Sequence, residues 1–212
     1  MDSLEDRHRF ARRLEAFSDI VFGFALAQSA VALEVPKTLA DFGAHRTELV
    51  YFVLTFVLIA QFWLIHYRIF HFVFAAKTID VVLNFLLLGT IALLPYALRI
   101  WIHFPETVIG AVAYALALGG GFALVTALEL RGLRGLTGAM RERWIGITTR
   151  HGMAAAVFLI SLALFPLIGL SARYEWAMIG PAMIILKRYR SAQARAAASS
   201  PEAGTAGTRS ES

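Results

Sequence analysis

Cysteine is absent from all 212 residues. That excludes a disulfide framework, a thiolate metal site and a cysteine nucleophile. Charge is scarce as well: Asp, Glu, Lys and Arg together make up 17% of the chain, against about 25% in an average soluble domain. The chain has no Gly-x-Ser-x-Gly, no His-Glu-x-x-His and no phosphate-cradling glycine loop. These gaps argue against an enzyme. No small-residue cleavage site follows a short apolar run after the acidic start Met-Asp-Ser-Leu-Glu-Asp, so the first apolar segment is expected to be a retained helix.

What is abundant is apolar length. Apolar residues make up 58% of the chain, and the mean hydropathy is +0.63. A membrane span needs about 20 mostly apolar residues. Six segments are candidates, at about 14–35, 49–70, 80–98, 107–129, 152–170 and 173–187, the last being short and carrying Pro181, so that five spans are the alternative. The expected fold is an all-α membrane protein with six transmembrane helices per subunit. Residues 1–13 form a cytoplasmic N-terminus, 14–187 the membrane domain and 188–212 a disordered cytoplasmic tail. Basic residues orient the spans. With six spans and both termini cytoplasmic, only Lys37, Arg46, Arg99 and Arg173 of the 20 Lys and Arg residues face outward, which is the positive-inside pattern. The location expected from this is the cell membrane, as a multi-pass protein. The same distribution accounts for the net charge of +5 without a nucleic-acid partner. The basic connector at 130–150 reads as a solvated loop or interfacial helix, with anionic-lipid binding as the sharper alternative.

The first span has two sides. At about 100° per residue, Arg13, Phe17, Ile20, Val21, Ala27, Gln28, Val31 and Val35 fall within about 60° of Phe24. Ser18 and Asp19 lie off this stripe, toward neighbouring helices. Apolar packing and a cross-helix hydrogen bond from Gln28 would also explain the stripe. Asp19 sits about a turn and a half inside the span, where a carboxylate costs about 2.5–3.5 kcal/mol on insertion scales and needs a partner. The second span supplies Trp63 and His66, three apart and on one face. The third supplies Asn84. All three stand at the depth of Ser18 and Asp19, where a carboxylate, an imidazole, an indole N–H and an amide can satisfy one another. No metal site is expected, because His71 points away from His66 and no carboxylate pair has ligand spacing. Gly119-Gly120-Gly121 falls inside an apolar span with no strand before it, and reads as a helix-packing surface or a kink.

Arg13-x-x-x-Phe17-Ser18-Asp19 on the first helix, Phe62-Trp63-x-x-His66 on the second, and Asn84 followed by Leu94-Pro95 on the third resemble the bacterial branch of the transmembrane protein 175 family, relatives of the endolysosomal potassium channel. The resemblance covers about the first half of the chain. It implies a homotetramer in which the first helix of each subunit lines a central pore without a carbonyl filter loop. It places an apolar constriction on Phe24, with further pore-facing layers on Ala27 or Gln28 and on Val31. Arg13, Phe17, Ser18 and Asp19 would then brace the pore helix, with Trp63, His66 and Asn84 as partners. The implied function is a potassium-permeable cation channel whose partners are other copies of itself, the lipid bilayer and permeant monovalent cations, K+ first, with no cofactor. The gate departs from the family habit of Ile or Leu by carrying Phe24, and Gln28 adds an amide. An ion- or proton-coupled secondary transporter using Asp19 and His66 is the alternative.

Overall fold

The computed structural model describes residues 4–168 except 39, 40, 42, 44, 45 and 105, together with 188 and 191. The chain divides into two compact units, Met1–Trp176 and Ala177–Ser212, and the helices described here belong to the first. They are α1 (Leu4–Val31), α2 (Arg46–Phe72), α3 (Thr78–His103), α4 (Val108–Gly132) and α5 (Gly138–Ile168), with a 3-10 turn at Leu133–Gly135. All five are long and apolar enough to cross a membrane. The expected sixth span at 173–187 lies outside the described residues, as does the tail at 188–212 apart from two positions.

Both ends of this set differ from the apolar runs. α1 begins ten residues before its expected span: the charged segment from Leu4 is helical, with Glu5 and Asp6 in its first turn and Arg9 3.3 Å from Asp6. Acidic residues favour a helix N-terminus. α1 also stops earlier than the span, at Val31, as the chain turns into Leu33-Glu34-Val35-Pro36, where the residue before proline disfavours helical geometry. Val35 therefore leaves the stripe that its sequence spacing assigned to it. At the other end, most of the basic connector is helix. α5 starts at Gly138, which adopts φ +57°, a conformation glycine reaches without strain. Trp144 and Thr148 are buried on that extension while Arg141, Arg143 and Arg150 stay exposed.

The helices pack in a sequence: α1 rests on α2 and α3, α3 on α4, and α4 on α5, with α2 also reaching α4. The core between them is Phe22, Phe62, Ile59, Leu87, Ile91, Leu94, Leu118 and Val125, all nearly inaccessible. Thr107 caps α4 by accepting from the Gly110 amide at 3.2 Å. Within α3, Pro95 has no N–H to give the preceding turn. Its own carbonyl accepts a short hydrogen bond from the Tyr51 hydroxyl, joining α2 to α3.

The glycine triplet packs α4 on two sides and does not break it. A Cβ at Gly119 would stand 2.9 Å from the Phe158 Cβ of α5, and one at Gly121 2.9 Å from the Phe62 ring of α2. A Cβ at Gly120 would meet nothing within 4 Å. Gly119→Ala is therefore expected to lower the thermal midpoint of the purified protein, at a cost of about 1–3 kcal/mol for overpacking. Gly120→Ala should match or exceed the wild type, since alanine is the better helix former. Equal midpoints for the two variants would refute this packing.

Candidate functional site

α1 runs antiparallel to α2, so its first half lies against the second half of α2 and the first half of α3. One turn of each helix meets there. The Ser18 hydroxyl, fully buried, donates to the Leu14 carbonyl at 2.8 Å and accepts from Asn84 Nδ2 at 3.2 Å. With its amide nitrogen engaged on Ser18, Asn84 turns its oxygen to His66, whose Nε2 lies 2.8 Å away. That nitrogen therefore carries the imidazole proton and donates. The result is a one-way chain of donors, His66 to Asn84 to Ser18 to Leu14, linking three helices. His66 lies edge-on to Phe22 at 5.3 Å and stacks on Phe70 at 4.4 Å. Its Nδ1 is buried with no hydrogen-bond partner.

Asp19 takes a different partner. Trp63 Nε1 donates to its carboxylate at 2.8 Å, at an exposed position on the flank of the bundle. Trp63 in turn stacks on Tyr67. Phe17 reaches α3 through Phe85, with ring centroids 5.8 Å apart, while about half of its surface stays exposed. Arg13 is exposed one turn before it.

The other face of α1 is open. Phe24 is 60% exposed and Val31 86%, and Ile20, Ala27 and Gln28 are exposed with them. Residues on the opposite side, Ser18, Phe22, Ala25 and Ser29, are at most 2% exposed. The helix thus carries a bare stripe of large apolar side chains with one amide, set by a buried polar seam behind it.

Two buried ionisable pairs escaped the sequence reading. Asp80, in the first turn of α3, accepts from the backbone amide of Lys77 at 3.1 Å through one oxygen and forms a short ion pair with Arg131 Nε through the other. Glu129, fully buried in α4, lies 2.9 Å from His151 Nδ1 of α5. Its other oxygen has no hydrogen-bond partner. In the sequence Glu129 sits at the margin of an apolar span, beside a run of arginines that looks solvated. The signal for both pairs was a lone acid next to a span boundary. No group of three or more His, Cys, Asp or Glu side chains able to share a metal occurs among the described residues.

The seam and the stripe both lie within the segment that known proteins share. A family model described as endosomal/lysosomal potassium channel TMEM175 matches residues 13–95, the stretch from Arg13 to Pro95. Over that segment the chain is similar to the TMEM175 family. A curated potassium channel of Marivirga tractuosa is 27% identical over 100 residues, covering 47% of this chain and 40% of that protein. The match thus spans about two fifths of that relative's length. Among solved structures, a variant of the potassium channel MtTMEM175 bound to a nanobody fusion protein aligns with TM-score 0.67 and 22% identity, over 84% of this chain and 93% of that one. A lysosomal potassium-selective channel TMEM175 homologue from Chamaesiphon minutus aligns with TM-score 0.62 and 20% identity, over 85% and 98%. These alignments establish that the TMEM175 fold extends through most of the chain. Its five apolar helices and this similarity mark it as a membrane protein, and the relatives named here are potassium channels.

Removing the central amide tests the seam. Asn84→Leu strips Ser18 and His66 of their shared partner, and leaving buried polar groups unpaired costs about 1–3 kcal/mol. A lower thermal midpoint in detergent is expected. Gln61→Leu, at an exposed position on the same helix as His66, should change stability by no more than about 0.5 kcal/mol. An Asn84→Leu protein as stable as the wild type would contradict the network.

Proposed function

We propose that this chain is a potassium-permeable cation channel that assembles as a homotetramer, with α1 of each copy lining the central pore. The observation that carries the reading is the bare face of α1. Phe24, Ala27, Gln28 and Val31 share one exposed side, and an amide there gains from a polar path more than from lipid. Cyclic assembly supplies such a path without any re-entrant loop. In this arrangement four Phe24 rings form an apolar constriction that closes by expelling water. Gln28, one turn further along, offers amide oxygens to a cation on the far side of that constriction. Ser18 and Asp19, backed by Asn84, His66 and Trp63, hold the stripe toward the axis, with Arg13 and Phe17 at its entrance.

The full subunit has six spans in this reading, the sixth at 173–187, and lies in the cell membrane with both termini cytoplasmic. That topology rests on the positive-inside pattern of the sequence. Permeation of potassium is supported by the similarity to potassium channels over α1 to α3. The coupled-transporter alternative gains no support, because Asp19 and His66 take separate partners, Trp63 and Asn84, and share no site.

Flux of potassium and sodium from liposomes tests the reading. Wild-type protein is expected to release potassium, and Phe24→Ala to raise the rate or lower discrimination between the ions. Unchanged flux in both respects would remove Phe24 as the gate, and no flux from protein shown to be tetrameric would remove the channel. Asp19→Ala, which deprives Trp63 of its acceptor, is expected to lose the tetramer on size-exclusion chromatography with light scattering. An intact tetramer with wild-type flux would show that Asp19 does not brace the pore.

A further inference from the structure

The end of α2 and the start of α5 enclose a cleft of about 200 Å3. Arg68 and Phe72, four apart, line it from α2. Met140, Arg143, Trp144 and Ile147, spaced three, four and seven apart, line it from α5. Phe72 and Trp144 close its floor with ring centroids 6.2 Å apart. Trp144 is buried, whereas Phe72 and Met140 are nearly half exposed. Arg68 and Arg143 are both exposed, and neither pairs with an acid among the described residues. A second cleft of about 300 Å3 shares Phe72 and adds Lys77 and Arg134.

We propose that the α2–α5 cleft binds an anionic phospholipid, its phosphate between Arg68 and Arg143 and its acyl chain along Phe72, Met140 and Ile147. Depth supports this. α2 has 27 residues and α5 has 31, so at 1.5 Å per residue both exceed a hydrocarbon core of about 30 Å. The last turns of α2 and the first of α5 therefore lie at headgroup level. Guanidinium groups bind phosphate through paired N–H donors, and the N-terminal end of α5 adds positive potential. A free phosphate would satisfy the arginines and leave the apolar wall wet. The proposal needs only that the helices span a bilayer, so it stands or falls apart from ion conduction.

Trp144 provides the readout. Purified full-length protein is reconstituted in vesicles of brominated phosphatidylglycerol or brominated phosphatidylcholine, and the Trp144 signal is taken as the difference between wild type and Trp144→Phe. Phosphatidylglycerol is expected to quench it preferentially. The preference in relative association should fall by about 30-fold, the worth of two interfacial arginines, in Arg68→Gln/Arg143→Gln. Arg12→Gln/Arg141→Gln, which removes equal charge outside the cleft, should keep it. Equal quenching by the two lipids in the wild type overturns the proposal, as does a preference that survives Arg68→Gln/Arg143→Gln or is lost equally in the control. Displacement of the lipid by inorganic phosphate assigns the cleft to a soluble anion and overturns it too. Should Arg68→Gln/Arg143→Gln fail to fold, the wild-type comparison of the two lipids still decides.

Discussion

Inside a bilayer no water is available to a polar side chain, so each one on a spanning helix must find its partner within the protein. Where α1, α2 and α3 meet, one buried seam answers that constraint. The Ser18 hydroxyl, the Asn84 amide and the His66 imidazole close on one another and on the Leu14 carbonyl. Because the seam draws on α1, α2 and α3 at a single level, it sets how far each helix is inserted and how it is turned. The apolar contacts around it, such as Phe22 against His66, pack well only in that register. Apolar surfaces alone could slide or rotate past one another at small cost in lipid.

The remaining helices are joined by different chemistry. The Asp80 and Arg131 pair ties the start of α3 to the end of α4 near the basic end of the bundle. Glu129 and His151 join α4 to α5. About two to three turns earlier on α4, Gly119 and Gly121 let it approach α5 and α2 on its two sides. Polar links thus fix level and rotation, and small residues fix distance. The division matches the matched segment: residues 13–95 hold the whole Ser18–Asn84–His66 seam, while α4 and α5 lie beyond it.

Five of the helices could be read from the sequence because each contains an apolar run of spanning length. Their ends could not. Hydropathy registers the bilayer rather than the helix, so it missed the charged turns from Leu4 and the amphipathic turns from Gly138. For the candidate site, the 3.6-residue period separated Ser18 from Phe24 on α1, and common depth picked out Trp63, His66 and Asn84 as side chains able to meet it. Depth alone left open which partner each would take. The two outlying pairs stayed hidden for a related reason. Asp80 and Arg131 are 51 residues apart and Glu129 and His151 are 22 apart, on helices whose adjacency no local pattern encodes. Resemblance to a family over the first three helices carried no information about them.

The direction of the donors in the seam bears on how α1 can move. Turning α1 about its long axis would carry Ser18 away from Asn84, and that rupture would leave the Asn84 amide nitrogen without its acceptor in a dry interior. Sliding it lengthwise would do the same. Swinging α1 as a rigid rod about the Ser18 level breaks none of these bonds. Since α1 is continuous from Leu4 to Val31, such a swing makes it a lever with its fulcrum near the middle: its charged, water-facing arm and the arm bearing Phe24 would move together in opposite directions.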